Sequence, residues 1–258
     1  MLKIRSEQFE VFERAALRSF EDRMVEHLRG FAPSHFKILS EEEIRACVRE
    51  GMKRAPSHGL TSERSIRIYV QTMFMLGSKF DTDPQYPWAA EILGEAETPE
   101  EERCDRLHDK SWEYAAQVAE DYRDFDPEAE HSRLMRELLD LRHESKETLA
   151  LSELSRFSGR TLARLQSLFP HKCEYVGELS LRRLIQRGVQ MARGHSITTE
   201  RGTLLFIMLM FVLGGGFDTD PQLPWASVVL KDEALTDQNE RVNRLYAAAL
   251  DCLRRWWA

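Results

Sequence analysis

The sequence predicts an all-α protein made of two tandem, homologous helical-bundle modules, related by internal duplication and packed together. Three observations predict this. A ten-residue stretch occurs twice: residues 80–89 read FDTDPQYPWA and residues 217–226 read FDTDPQLPWA, with only Tyr86 against Leu223 changed. The likeness extends at a constant offset of 137, which sets Leu17 against Leu154, Phe20 against Phe157, Leu28 against Leu165, Gly51 against Gly188, His58 against His195 and Gly77 against Gly214. One inserted residue beyond position 93 then sets Arg103, Arg106 and Leu107 against Arg241, Arg244 and Leu245. Self-similarity at a fixed period is an architectural signal, and this period is that of a domain, far longer than a solenoid unit. Finally, apolar residues recur at three- and four-residue steps, and no two-residue alternation persists. We divide the chain into a first module over 1–122 and a linker helix plus second module over 123–258.

The elements follow in order. Phe9, Phe12, Ala16, Phe20, Met24, Leu28 and Phe31 give one apolar face, predicting a helix over 6–30 that starts at Ser6 and stops near Gly30. Ser40 with Glu43 is a capping box for a helix to about Ala55, buried along Ile44, Val48 and Met52. Thr61 is placed to cap a helix over 62–76, which Gly77 ends. In the repeated stretch, Asp83 before Pro84 starts a turn, and Pro87 takes a first helical position ahead of Trp88. Thr98-Pro99-Glu100-Glu101 reads as another capping box, opening a helix whose inward face is Cys104, Leu107, Ser111, Tyr114, Ala115 and Val118. Its counterpart face is Val242, Leu245, Ala249, Cys252, Leu253 and Trp256. Between the modules, Asp126-Pro127 caps a linker helix with a stripe of Leu134, Leu138, Leu141 and Ser145, running on into a helix near Leu149–Leu168. The apolar run Leu204–Leu213 is too short for a membrane span, which needs about 20 residues, and is expected as a helix buried on all sides.

Composition narrows the function classes. Cys47, Cys104, Cys173 and Cys252 form no CxxC pair and have no His at metal spacing, so they read as reduced, buried thiols of a cytoplasmic protein. The charged start, MLKIRSEQFEVFERAAL, lacks the apolar core of a signal peptide. Net charge is −7, but residues 94–130 hold fourteen Asp/Glu against four Lys/Arg. That segment is either a solvated helix face or a docking surface for a basic partner. No basic stripe with interleaved aromatics occurs, so direct nucleic-acid binding is not expected.

Asp81-Thr82-Asp83 invites a metal reading, but an EF-hand loop needs glycine at its sixth position, where Tyr86 stands, and Pro84 intervenes. The expected role of Asp81, Asp83, Pro84 and Trp88, and of Asp218, Asp220, Pro221 and Trp225, is structural: carboxylates accept backbone N–H groups in a tight turn, proline fixes it, and tryptophan anchors it in the core. His58 and His195 are expected to cap the preceding helix end rather than act as bases, since no nucleophile motif, HExxH or GxSxG accompanies them. Gly214-Gly215-Gly216 lacks the Lys-Ser/Thr of a phosphate loop and reads as a flexible helix exit. No catalytic residue, metal or cofactor is expected.

The motif FGxxFDTDPQxPWAxxIL, carried as LGSKFDTDPQYPWAAEIL and LGGGFDTDPQLPWASVVL, resembles that of a family of helical bacterial proteins encoded beside type VI secretion effectors and other polymorphic toxins. The opening EQFEVFERAALRSFEDRMVEHLRGFAP is similar to the start of those proteins. The resemblance implies a cytoplasmic protein that pairs with a cognate effector toxin, most simply as its immunity protein; an adaptor or chaperone that loads an effector is the alternative. It carries no active-site residues. An acidic surface suits a nuclease toxin with a basic cleft, and this places partner binding on Glu100, Glu101, Asp105, Asp109 and Glu113, with Asp121 and Asp124 beyond. A third possibility is an enzyme using the duplicated Asp and His positions. Oligomeric state is not readable.

Overall fold

The computed structural model describes residues 6–122, 140, 141 and 144–257. Among these the protein is all-α, with twelve α-helices and no strand. They are α1 Ser6–Phe31, α2 His35–Ile38, α3 Glu41–Arg54, α4 Glu63–Leu76, α5 Pro87–Gly94, α6 Glu100–Val118, α7 Leu154–Leu168, α8 Pro170–Val176, α9 Glu178–Gly194, α10 Glu200–Leu213, α11 Pro224–Leu230 and α12 Gln238–Trp257. Helices α3 to α6 start at 41, 63, 87 and 100, and α9 to α12 start at 178, 200, 224 and 238. The starts recur at the offsets seen in the sequence. The expected linker helix from Asp126-Pro127, with Leu134 and Leu138, lies outside the described residues.

Local chemistry explains most boundaries. Ser40 and Glu43 close a reciprocal capping box at α3: Glu43 N donates to Ser40 Oγ at 3.3 Å, and Ser40 N donates to Glu43 Oε2 at 2.7 Å. Gly77 and Gly214 end α4 and α10 at φ of 94° and 106°, a region open to glycine without steric cost. Helix α10 is buried continuously from Arg201 to Phe211, and no described helix is long and apolar enough to cross a membrane. All four cysteines are free and buried.

Four expectations need correction. The cap of α4 is Ser62, not Thr61; Ser62 Oγ accepts from Ser65 N at 3.2 Å. The Thr98–Glu101 box does not form, because Pro99 takes the cap position and Thr98 Oγ1 donates to Glu95 instead. In α1 the apolar face is buried at Phe20, Met24 and Leu28, but Ala16 is exposed with its neighbours 15–19, and the side chains of Phe9 and Phe12 lie outside the described residues. Residues 144–150 do not run as a helix into α7. They lie along the start of α10, where Glu200 N donates to Glu147 O and Arg201 N to Ser145 O, both at 3.0 Å. The first-turn N–H groups of α10 have no intrahelical acceptor, and this segment supplies one.

Helix α3 crosses α4 at Gly51, and α9 crosses α10 at Gly188. A Cβ at Gly51 would meet Val70 Cγ2 at 2.6 Å, and one at Gly188 would meet Ile207 Cγ1 at 2.6 Å. Val70 and Ile207 are themselves 137 apart. The buried hydrophobics sort into two clusters within residues 20–118 and a third within 141–253. We predict that Gly188→Ala overpacks the α9–α10 crossing and costs about 1–3 kcal/mol, read as a lower urea midpoint, whereas Gly194→Ala, which meets nothing within 4 Å, leaves the midpoint within about 0.5 kcal/mol of wild type.

Candidate functional site

The repeated corners are the join between the two halves. Asp83 Oδ1 accepts Gln85 N at 2.9 Å, and Asp220 Oδ1 accepts Gln222 N at 2.8 Å, the expected tight turn. The other bonds cross over. Gly215 N donates to Asp83 Oδ2 at 2.5 Å, while Ser78 N and Oγ donate to Asp220 at 2.7 and 2.5 Å. Gln85 Nε2 donates to Met210 O at 3.1 Å, and Gln222 Nε2 donates to Met73 O at 2.9 Å. Each corner therefore satisfies buried groups at the helix exit of the opposite half. Gly77 and Gly214 lie back to back: a Cβ on Gly77 would meet Leu213 O at 3.2 Å, and one on Gly214 would meet Leu76 O at 3.0 Å. Gly214, Gly215 and Gly216 are buried, so this stretch is a packed seam and not the flexible exit expected. Burial pushes the carboxyls of Asp83 and Asp220 up, against the pull of their N–H donors.

Asp81 and Asp218 do something else. They accept no turn N–H. His58 Nε2 stands 3.0 Å from Asp81 Oδ2, and His195 Nε2 stands 2.9 Å from Asp218 Oδ2. A carboxylate only accepts, so each Nε2 carries the proton. The histidines stand at a helix or turn end, but their rings serve an aspartate rather than a helix carbonyl. Around Asp81 the set is complete: Tyr69 Oη donates at 2.8 Å, and Arg54 Nη2 meets both carboxylate oxygens while its Nη1 donates to Ser78 O. Burial works to raise the Asp81 carboxyl, but His58, Tyr69 and Arg54 overcome it and hold it at about 2. In the second half Met191 and Phe206 stand where Arg54 and Tyr69 stand in the first, and Asp218 Oδ1 is buried without a partner. Among the described residues no group of three or more His, Cys, Asp or Glu is placed to hold a metal ion. Trp88 and Trp225 are half-buried at the edges of their cores.

The acidic residues divide into two kinds. Glu100 accepts Thr61 N at 2.7 Å across the start of α4, as Gln238 Oε1 accepts Thr198 N at 2.9 Å in the other half. Asp121 accepts His171 N and Lys172 N, at 3.2 and 2.7 Å, at the start of α8. Both hold the fold. Glu101, Asp105, Asp109 and Glu113 are exposed; Asp105 pairs with Arg64, and Glu113 with Lys110 at 2.6 Å. Asp124 lies outside the described residues. Trp112 is half-exposed in the same stripe of α6, its Nε1 donating to His108 Nε2 at 3.0 Å.

Sequence reasoning missed two features. Arg103 is buried and donates to the carbonyls of His58, Leu93, Thr98 and Gly59; Arg241 does the same for His195 and Leu235. Their pairing in the self-alignment was the available signal. The second is a crevice of about 200 Å³ where the ends of α4 and α10 meet. Tyr86, Tyr114, Val118 and Lys172 line it, together with His35 and Trp256. Lys172 is 2 % exposed; burial lowers its ammonium to about 8, against the attraction of Asp83. Its Nζ donates to Phe211 O and lies 4.3 Å from the centroid of the Phe211 ring. His35 is held down to about 4 by burial. Gln222 lies near enough to favour its charged form slightly, but no bond of normal geometry reaches either ring nitrogen.

Two predictions follow from the corners. Asp220→Ala strands Ser78 N and Gln222 N and costs about 3 kcal/mol, while Thr82→Ala, on the exposed residue between the two aspartates of the first corner, stays within about 0.5 kcal/mol; chemical denaturation of both variants measures the difference. The folded carboxyl of Asp81 is depressed, so its stabilisation is present above its ordinary value of 3.8 and is lost as pH falls toward about 2. The stability gap between wild type and Asp81→Asn should therefore narrow, by on the order of 2 kcal/mol, between about pH 4 and pH 2. Comparison of the chain with protein-family models, curated proteins and solved structures found no match.

Proposed function

We propose that this is an immunity protein: in the cytoplasm it binds a cognate effector toxin and blocks the toxin's active site by occlusion, without catalysis of its own. The resemblance in the FDTDPQxPWA motif suggests the partner, and the outer stripe of α6 carries the reading. Glu101, Asp105 and Asp109 recur at four-residue steps on α6, and so share one face. Trp112 lies half-exposed on the same face. Tryptophan is enriched among residues that dominate interface energy, and a one-signed field speeds association with an oppositely charged cleft.

The other half supplies the control. At the corresponding positions α12 carries Asn239, Asn243 and Ala247. A helix of the same span thus forms without these carboxylates, and their presence on α6 is not a demand of the helix. A nuclease toxin, with a basic substrate groove, is the partner this surface fits.

The test is co-expression with the product of the adjacent gene, which the resemblance implies is the toxin. The chain should rescue cells making that toxin internally and should co-purify with it. Loss of toxin delivery without any rescue would identify an effector-loading adaptor instead. Within the immunity reading, E101K/D109K/E113K spares Glu100 and Asp121, which bond backbone N–H groups of the fold, and Asp105, which pairs with Arg64 on another helix. It should slow association at low salt by at least about tenfold, and an unchanged rate there would remove the outer face of α6 from the interface.

A further inference from the structure

We propose that the seam crevice is a binding site for a small apolar carboxylate, a single ring or short chain whose carboxylate pairs with the Lys172 ammonium. The site lies on the inner side of α6, away from the acidic stripe, and does not depend on the toxin reading.

Lys172 is buried, and among the described residues its Nζ has one hydrogen-bond acceptor, Phe211 O. The aromatic faces of Phe211 and Tyr114 lie 4.3 and 5.9 Å from it; Asp83 and Asp121 attract it without bonding it, their oxygens held by backbone N–H groups, and Asp220, the carboxylate in the crevice lining, is taken up by Ser78 and Gln222. An ammonium taken out of water costs several kcal/mol unless it is paired and its remaining N–H groups are satisfied. An ammonium has three donors, so the protein leaves this one under-satisfied at the wall of a cavity.

The fold does not require a cation here. The position 137 residues earlier is His35, also buried, packed against Phe74 with ring centroids 4.8 Å apart, and held neutral by burial. Both residues line the one crevice, one from each half, and burial holds the His35 ring neutral while Lys172 brings an ammonium.

Size and lining then select the ligand. The crevice of about 200 Å³ is of the same order as a cavity of roughly 150 Å³ that takes benzene. Leu76, Val118 and Leu213 give it apolar wall. Tyr86 and Tyr114 bring two hydroxyls, 3.5 Å apart, to the same lining. A bare inorganic anion would meet the ammonium and leave that wall unfilled, while a neutral hydrocarbon would fill the wall and leave the ammonium unpaired. An apolar carboxylate does both. Because the walls come from both halves, the ligand would also bind the halves to each other.

The full-length protein should be titrated calorimetrically with benzoate, hexanoate, benzyl alcohol and inorganic phosphate, and melted in the presence of each. At least one carboxylate should bind more tightly than about 1 mM, raise Tm, and exceed benzyl alcohol and phosphate at least about tenfold in affinity. Lys172→Met should retain the fold and lose the preference for carboxylate over alcohol. Val118→Phe fills the crevice without touching the amine, and should lose both ligands; it carries the test should the lysine variant fail to fold. The proposal is overturned if neither carboxylate binds, if phosphate binds as well as they do, or if either folded variant binds the carboxylate as wild type does.

Discussion

Where α4 and α10 end against each other, backbone donors and acceptors are buried out of reach of water. An unpaired backbone group in such a place costs about as much as a lost hydrogen bond. The protein meets this with side chains from across the seam: Asp220 and Gln222 take Ser78 N, Ser78 Oγ and Met73 O, and Asp83 and Gln85 take Gly215 N and Met210 O. Much follows from that exchange. Glycine must stand at 77 and 214, because the two exits touch there. Gly215 must lack a side chain, because a Cβ would lie 2.8 Å from the Asp83 carboxylate. The spelling DTDPQ recurs because each half must present the same pair of groups to the other.

How far the sequence discloses this depends on the distance over which each rule acts. Capping box, proline at a first helical position and glycine at a helix end involve residues three or four apart, and Ser40, Pro87 and Gly77 were legible for that reason. The corner was legible as a turn, since Asp83 does cap Gln85 N. Its second set of partners lies 125 to 149 residues away, and nothing local encodes that. Where local rules compete they mislead: Thr61 and Ser62 offer adjacent hydroxyls, and Pro99 displaces the threonine expected to cap α6. Local rules point the ring of His58 at a helix end, because Asp81, its actual partner, is 23 residues on. Composition makes the acidic helix look like one surface, but Glu100 and Asp121 are drawn inward by the bare N–H groups of α4 and α8.

Two halves with related sequences also form a comparison within one molecule. Shared contacts, such as Arg103 with Arg241 or Glu100 with Gln238, mark what the fold needs. Differences mark what it does not. Asp81 has an arginine, a tyrosine and a histidine, whereas Asp218 keeps only the histidine. His35 is exchanged for Lys172, and the carboxylates of α6 for the neutral side chains of α12. Such departures cost something or gain nothing in packing, and they are where a role beyond architecture is best sought.

The reciprocity of the seam bears on how the molecule comes apart. Neither half can loosen its own corner without stripping acceptors and donors from its neighbour, so the free energy of melting one half includes that of stranding the other. Such coupling favours a single cooperative transition over two separate ones. Heat or urea should find one unit of about thirty kilodaltons, not two of half that mass.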